Sequence, residues 1–264
     1  MEDLRGKKIL VTGAGGVGVG GGICQALDRF GATIIVNEIN LDKAVSAAGK
    51  YTNAIPVQAD IGDGGQIESM FQKIAGEVGI IDGLVNNAGV GLSKVAHEAS
   101  EDDFDRLYDI DIKGVWQVSK AFVNQLLKAG KRGNIVNISS VNALATMSRY
   151  ALYASAKSAV EGLTTGMAVE LGTHNIRVNA VAPGLVKAEQ NYDLVKTWSD
   201  HPDQWMKEFP YDQQAIPEDI NPVEVGNAVA FLLSEMSSAV TGQTLYVDKG
   251  TTSLIFNRFS TERK

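Results

Sequence analysis

Residues 7–38 constrain the fold most. Lys7-Lys-Ile-Leu-Val-Thr12 is a short apolar run that predicts a buried strand, and the glycine-dense stretch Gly13-Ala-Gly-Gly-Val-Gly-Val-Gly-Gly-Gly22 follows it. Ile23, Ala26, Leu27 and Phe30 then recur at helical spacing, and Gly31 stops the helix. Thr33-Ile-Ile-Val-Asn37 reads as a second strand running into Glu38. Strand, glycine loop, helix, strand and acid in this order form the pattern of a dinucleotide-binding unit. Glycines let the backbone approach a pyrophosphate, and the helix N-terminus attracts its charge. An acid after the second strand can hold both hydroxyls of an adenosine ribose and would repel a 2′-phosphate. No Arg or Lys lies in the glycine loop or at positions 37–40, so the expected cofactor is NAD rather than NADP.

The alternation continues to the end of the chain. Strands are expected at 54–59, 81–85, 134–140, 175–181 and 244–247. Helices are expected at 64–78, 101–130 with a break around Asp111 to Gly114, 153–172, and 222–234. Neither a linker nor a repeat interrupts the series, so the prediction is one α/β domain spanning 1–264: a Rossmann-type, doubly wound parallel sheet in three α/β/α layers. The stretch 187–221 breaks the rhythm. It carries Tyr192, Trp198, Trp205, Phe209 and Tyr211 among many charges. A long insertion after a strand's C-terminal end is a candidate substrate lid, with a helical excursion of structural aromatics as the alternative.

Tyr153 and Lys157 are four residues apart, which on a helix places both on one face. An ammonium beside a phenol favours the phenolate, and a Tyr so tuned can pass a proton to or from an oxygen near neutral pH. Ser140 lies thirteen residues before Tyr153 at the end of an apolar strand, the edge at which open parallel sheets bind ligands. Composition excludes several other classes. With 264 residues, 44% hydrophobic, 21% charged and a net charge of -7, the chain is suited neither to a nucleic-acid backbone nor to an anionic membrane surface. The single cysteine, Cys24, allows no intrachain disulfide or cysteine metal cluster and is expected to be a buried thiol. His97, His174 and His201 are scattered, and no metal site is expected. No run reaches the length of a membrane span, and the N-terminus lacks a basic-then-apolar signal pattern, so a cytoplasmic location is the expectation.

Together these residues resemble the short-chain dehydrogenases/reductases. The similarity rests on Thr12-Gly13 with the glycine loop, Asp60-Ile61, Asn86-Asn-Ala-Gly89, Ile138-Ser-Ser140, Tyr153-x-x-x-Lys157, Arg177-Val-Asn179, Pro183-Gly184 and Val247-Asp248, in the family's order and near its spacings. The resemblance implies hydride transfer between NAD(P) and a carbonyl or alcohol. It makes Tyr153 the general acid/base and Lys157 the residue that tunes it and binds the nicotinamide ribose. Ser140 would bond the substrate oxygen. Gly13, Gly18, Val19, Gly20 and Glu38 would hold the dinucleotide, Asp60 and Ile61 would meet the adenine, and Asn87, Ala88 and Gly89 would line the cofactor. Pro183, Gly184 and Val186 would lie beside the nicotinamide. It also implies a homotetramer, with which the small-faced Tyr153 helix is compatible. Asn142, Leu144, Tyr150 and the 187–221 stretch are candidates for the pocket lining.

Four departures stand out. The glycine loop has one residue more than the family usually shows, between Gly13 and Gly18. The family's helix-break asparagine is Asp111, which keeps an acceptor and loses an amide donor, leaving a proton relay to solvent open. Ala188 replaces a usual Thr, and Asp248-Lys249-Gly250 a usual Asp-Gly-Gly. Two other functions are weighed against the alcohol–ketone reading. Tyr150 with Lys157 gives Y-x6-K, the spacing of enoyl-thioester reductases, and a non-catalytic NAD-binding scaffold is also compatible with the fold.

Overall fold

The structure, a computed structural model, describes residues 4–254. Seven strands form one wholly parallel sheet: β1 Lys8–Val11, β2 Thr33–Glu38, β3 Ala54–Gln58, β4 Gly83–Asn86, β5 Gly133–Ile138, β6 Ile176–Pro183 and β7 Thr244–Val247, in the order β3-β2-β1-β4-β5-β6-β7. Strand order reverses beside β1, which pairs with β2 through Val11–Val36 and with β4 through Val11–Val85. The crevice for a ligand in such a sheet opens above that switch point.

Helices cover both faces, so the central strands are buried on each side and read as continuous apolar runs. On one face Ile9, Val11, Ile34, Val36, Val85 and Val136 pack against Ile23 and Leu27 of α1 (Val19–Arg29) and against Val225 and Val229 of α9 (Pro222–Leu233). On the other, Leu10, Ile35, Leu84, Ile135 and Val178 meet α3 (Gly64–Glu77), α5 (Val115–Ala129) and α6 (Ala151–Leu171). The predicted long helix at 101–130 is α4 (Glu101–Tyr108), a π-helical stretch Asp109–Gly114, and α5. Its acidic start is a capping box in which Ser100 and Asp103 satisfy each other's backbone amides. Cys24 is buried in α1, and burial pushes its thiol up to about 12.

One helix departs from the sequence reading. Helix α2 (Leu41–Ala48), capped by the Asn40 side chain, was not expected. The stretch 187–221 is largely helical: α7 (Glu189–Lys196) and α8 (Pro202–Gln213), linked by an aromatic cluster in which Trp205 contacts both Trp198 and Phe209 at 5.0 Å.

The first and last long helices touch backbone to backbone. A Cβ on Gly226 of α9 would lie 2.3 Å from the Gly22 carbonyl oxygen, and one on Gly22 would lie 2.2 Å from the Pro222 carbonyl carbon. Gly226→Ala should therefore lower stability by about 1–3 kcal/mol despite alanine's better helix propensity. Gly76→Ala in α3, where an added Cβ meets nothing within 4 Å, should raise it slightly. Urea unfolding of the two variants side by side checks the contrast.

Candidate active site

The site is assembled at the C-terminal ends of β1, β4 and β5. Thr12, at the end of β1, accepts the backbone amides of Asn87 and Ala88 on its hydroxyl, each at 3.0 Å. The Asn87 amide donates back to the carbonyls of Thr12 and Gly13. Gly13 has φ +62, and a Cβ there would stand 2.7 Å from Ala88 Cα, so only glycine fits. Below, Asn86 donates to Ser119 and to Asn137, and Asn137 donates to Thr164. This buried chain of side-chain bonds ties β4 and β5 to α5 and α6.

The glycine loop ends at Gly18, the N-cap of α1, which offers no side-chain cap. The first amides of that helix keep their donor capacity for an anion. An added Cβ on Gly16 or Gly18 would meet nothing closer than 3.6 Å, so the loop forms an open cradle that side chains would fill. Gly20 is tight instead: a Cβ there would strike the Gly13 carbonyl oxygen and the Asn87 amide. Glu38 folds onto the loop and accepts the amides of Gly15 and Ile39. The additional loop residue is thus accommodated by a stretch pinned at Gly15. Asp60 accepts the Gly62 amide at 2.8 Å, and the carbonyl of buried Ile61 backs onto Gly114 of the π stretch. These residues fit a dinucleotide along the crevice.

Lys157 is the centre of a buried ionic cluster beside Tyr153. It is buried, and its ammonium Nζ lies 2.9 Å from Asp111 Oδ2, 3.3 Å from the Ile138 carbonyl oxygen and 5.6 Å from the Tyr153 ring centroid. Asp111, fully buried in the π stretch, accepts the Val90 amide on its other oxygen at 2.8 Å. Burial pulls the Lys157 pKa down, but the charge of Asp111, the nearby Tyr153 and the bond to Asp111 together outweigh it and leave Lys157 above the ordinary lysine value. Gly89 closes this corner, since a Cβ there would sit 3.0–3.3 Å from Asp111 and Lys157. Asp111 is thus the counter-ion of Lys157.

Ser140 follows β5 in extended backbone and is buried. Its hydroxyl accepts the Asn142 backbone amide at 3.2 Å and lies 3.3 Å from the Asn142 side-chain amide. Neighbouring Ser139 bonds Glu161 and the Lys157 carbonyl, bracing the end of β5 against α6. Leu144 is exposed. Tyr150 is buried edge-on to Tyr153, with ring centroids 6.0 Å apart. Burial pushes the Tyr150 phenol up, while Trp198 and Ser93 pull the other way. Pro183 ends β6. Gly184 packs against Ile220 and Asp248, and buried Val186 bridges to Ile220. Thr12 and Ser139 fall within motifs read from sequence but without these bracing roles, and Glu161 and Thr164 were not singled out, because the roles depend on partners distant in the chain. Among the described residues, no cluster of His, Cys, Asp and Glu could hold a metal, and no helix is long and apolar enough to cross a membrane.

Known proteins are similar to this chain over nearly its whole length. A family model described as enoyl-(acyl carrier protein) reductase matches residues 13–252. Human L-xylulose reductase is 38% identical over 252 residues, 94% of this chain and 97% of the relative. Oxidoreductase UcpA of Salmonella typhimurium is 37% identical over 259 residues, covering 96% and 97%. A gluconate 5-dehydrogenase from Burkholderia cenocepacia, crystallised with NADP and tartrate, superposes with a TM-score of 0.86 at 30% identity, covering 96% of this chain and 98% of its own.

Removing the counter-ion should expose the energetics of the acid/base group. Asp111→Ala leaves a buried unpaired ammonium, which should reduce stability by about 3 kcal/mol at pH 7. In the wild type the folded-state pKa of Lys157 is raised, so its contribution is complete below the ordinary lysine value and lost only as pH rises through the folded one. In the variant only Tyr153 still opposes burial, and the folded pKa falls. The variant should therefore gain stability between pH 7 and 10, whereas this contribution stays level in the wild type until the pH passes the ordinary lysine value, and urea titrations across that range read the difference.

Proposed function

We infer the function from a fixed premise: the chain belongs to the short-chain dehydrogenase/reductase family of oxidoreductases, which act with a nicotinamide cofactor. We propose that it interconverts a secondary alcohol and a ketone, with NAD as cofactor and Ser140, Tyr153 and Lys157 as the catalytic set. The observation that carries this reading is the Lys157 ammonium, fixed by Asp111 and held over the Tyr153 ring at the mouth of the β4–β5 crevice.

When bound, the nicotinamide supplies or accepts the hydride. The protein's part is to hold the substrate oxygen and move one proton. In oxidation, Tyr153 takes the hydroxyl proton while Ser140 donates a hydrogen bond to the oxygen. In reduction, Tyr153 returns the proton to the oxygen on which negative charge develops. Lys157 places positive charge where a phenolate would form, and Asp111 keeps that ammonium in place. Gly13, Gly18, Val19 and Gly20 would cradle the pyrophosphate. Asp60 and Ile61 would meet the adenine, and Asn87, Ala88, Gly89, Pro183, Gly184 and Val186 would line the nicotinamide half. Asn142 would flank the substrate, and α7 with α8 would form its lid.

The preference for NAD rests on Glu38. Its carboxylate, at the end of β2, faces the loop where the adenosine ribose would lie, and no cation stands at 37–40. The crystallised gluconate 5-dehydrogenase held NADP, so the choice belongs to this chain's own residues. The names of two relatives, L-xylulose reductase and gluconate 5-dehydrogenase, favour a polyhydroxylated substrate. The name of the matched family model favours the enoyl-thioester alternative, with Tyr150 as the acid. Against it, Tyr150 is buried beneath Trp198 and Ser93, whereas the Lys157 ammonium lies over Tyr153. A homotetramer is in keeping with Phe104 and Trp116 exposed on α4 and α5, and with Val169 exposed on α6.

Tyr153→Phe should reduce turnover at least about a hundredfold while reduced cofactor still binds by fluorescence titration, and Tyr150→Phe should stay active. Wild-type kcat/KM should favour NAD over NADP, and Glu38→Gln should narrow that ratio. Steady-state kinetics with both cofactors measures it.

A further inference from the structure

Lys249 stands in the turn 248–250, where the backbone is left-handed: its φ is +49 and that of Gly250 is +84. A side chain at such a position is uncommon, because its Cβ crowds the carbonyl oxygen, whereas glycine takes it without strain. The backbone bonds made there do not call for lysine. The Lys249 carbonyl accepts the amides of Ala215 and Ile216 at 3.0 and 3.1 Å, and a glycine would offer the same oxygen. What lysine adds is an ammonium. Its Nζ lies 3.0 Å from Glu218 Oε2 and 3.3 Å from Glu224 Oε1, and only 14% of its side chain is exposed. Glu218 belongs to 214–221, the limb by which the helical excursion returns to the sheet. Glu224 lies in the first turn of α9, where its other oxygen accepts the Asn221 amide. One cation therefore joins three segments: the turn after β7, the return limb and the start of α9.

The limb held in this way backs the end of β6. Buried Ile220 lies against Gly184, where an added Cβ would stand 2.9 Å from Ile220 Cδ1, and it bridges to Val186. Its carbonyl accepts the Lys187 amide at 2.8 Å. From the other side the same added Cβ would stand 3.1 Å from Asp248 Cα. Gly184 is thus gripped between the return limb and the turn that carries Lys249. A fully exposed ion pair contributes little, because two long side chains must be ordered to form it. Here the lysine stem is already covered, and one ammonium serves two carboxylates.

We propose that Lys249 is a positioning residue for the nicotinamide half of the site. Its clasp on Glu218 and Glu224 keeps Ile220 seated behind Gly184 and Val186, and it restrains the α7–α8 excursion that ends in this limb. The inference rests on the proposed placement of the nicotinamide beside Pro183, Gly184 and Val186.

The test compares Lys249→Gly with Lys249→Arg, and adds Glu218→Gln and Glu224→Gln, each alone and combined with Lys249→Gly. Glutamine at 224 keeps the capping box of α9. Two readouts need no turnover: fluorescence titration with NADH and with NADPH, and trypsin cleavage at Lys196 and Lys207 followed by mass spectrometry. Lys249→Gly should weaken the tighter-bound reduced cofactor about three- to tenfold and speed cleavage at both lysines by a similar factor. Its urea midpoint should not fall, because glycine relaxes the turn. Lys249→Arg should restore affinity and resistance. Each glutamine should reproduce part of the loss by itself and add nothing to Lys249→Gly. Wild-type affinity and cleavage in Lys249→Gly overturn the proposal. So do a loss that arginine fails to restore, glutamine effects that add in full, and a urea midpoint that falls in step with affinity. Faster cleavage with unchanged cofactor affinity upholds the clasp on the excursion and refutes the placement of the nicotinamide against this wall.

Discussion

The site depends on how closely two neighbouring strand ends can approach. At the switch point β1 and β4 diverge toward different connections, and the polar groups freed there need partners in a buried place. Thr12 supplies one hydroxyl to two amides of the β4 loop, and Asn87 returns two bonds to the end of β1. Gly13 makes the approach possible because its missing Cβ leaves room for Ala88. Once these ends are laced, the glycine loop, the Asn87–Gly89 turn and the corner holding Lys157 have fixed relative positions. Rigid support of this kind is what a proton donor and a hydride partner require of a scaffold.

The second constraint is a charge taken out of water. A buried lysine would ordinarily shed its proton. Here the π-helical widening at 109–114 turns Asp111 inward, and the carboxylate divides its oxygens between Lys157 and the Val90 amide. One aspartate therefore joins the α4–α5 connection, the loop after β4 and α6. An asparagine at this position could bridge the same segments but would leave the ammonium's charge unbalanced. With aspartate the acid/base corner carries less net positive charge, so its electrostatics differ from those implied by the family's usual residue.

Much of this was legible in the chain itself. Apolar runs gave the sheet, because strands buried on both faces leave a continuous apolar record, and apolar periodicity gave the helices other than α2, α7 and α8. The spacing of Tyr153 and Lys157 read directly as one helical face, and the expected break near Asp111 is the π stretch. Helix α2 was not legible, because only alanines, Ala44, Ala47 and Ala48, are buried from it and they give almost no apolar signal. The aromatics of 187–221 were visible but their partners were not: Trp205 meets Trp198 edge-on and lies tilted against Phe209, a tertiary fact.

The Gly22–Gly226 contact bears on how the 187–221 excursion can move. Its far end is moored where Pro222 is wedged against Gly22, and its near end passes beside the same helix start, where a methyl added to Gly18 would lie 3.6 Å from Ala188. Both feet of the excursion thus stand on one pier, the glycine-rich beginning of α1. Any motion of α7 and α8 would pivot on that pier like a drawbridge, next to the uncapped amides that begin α1.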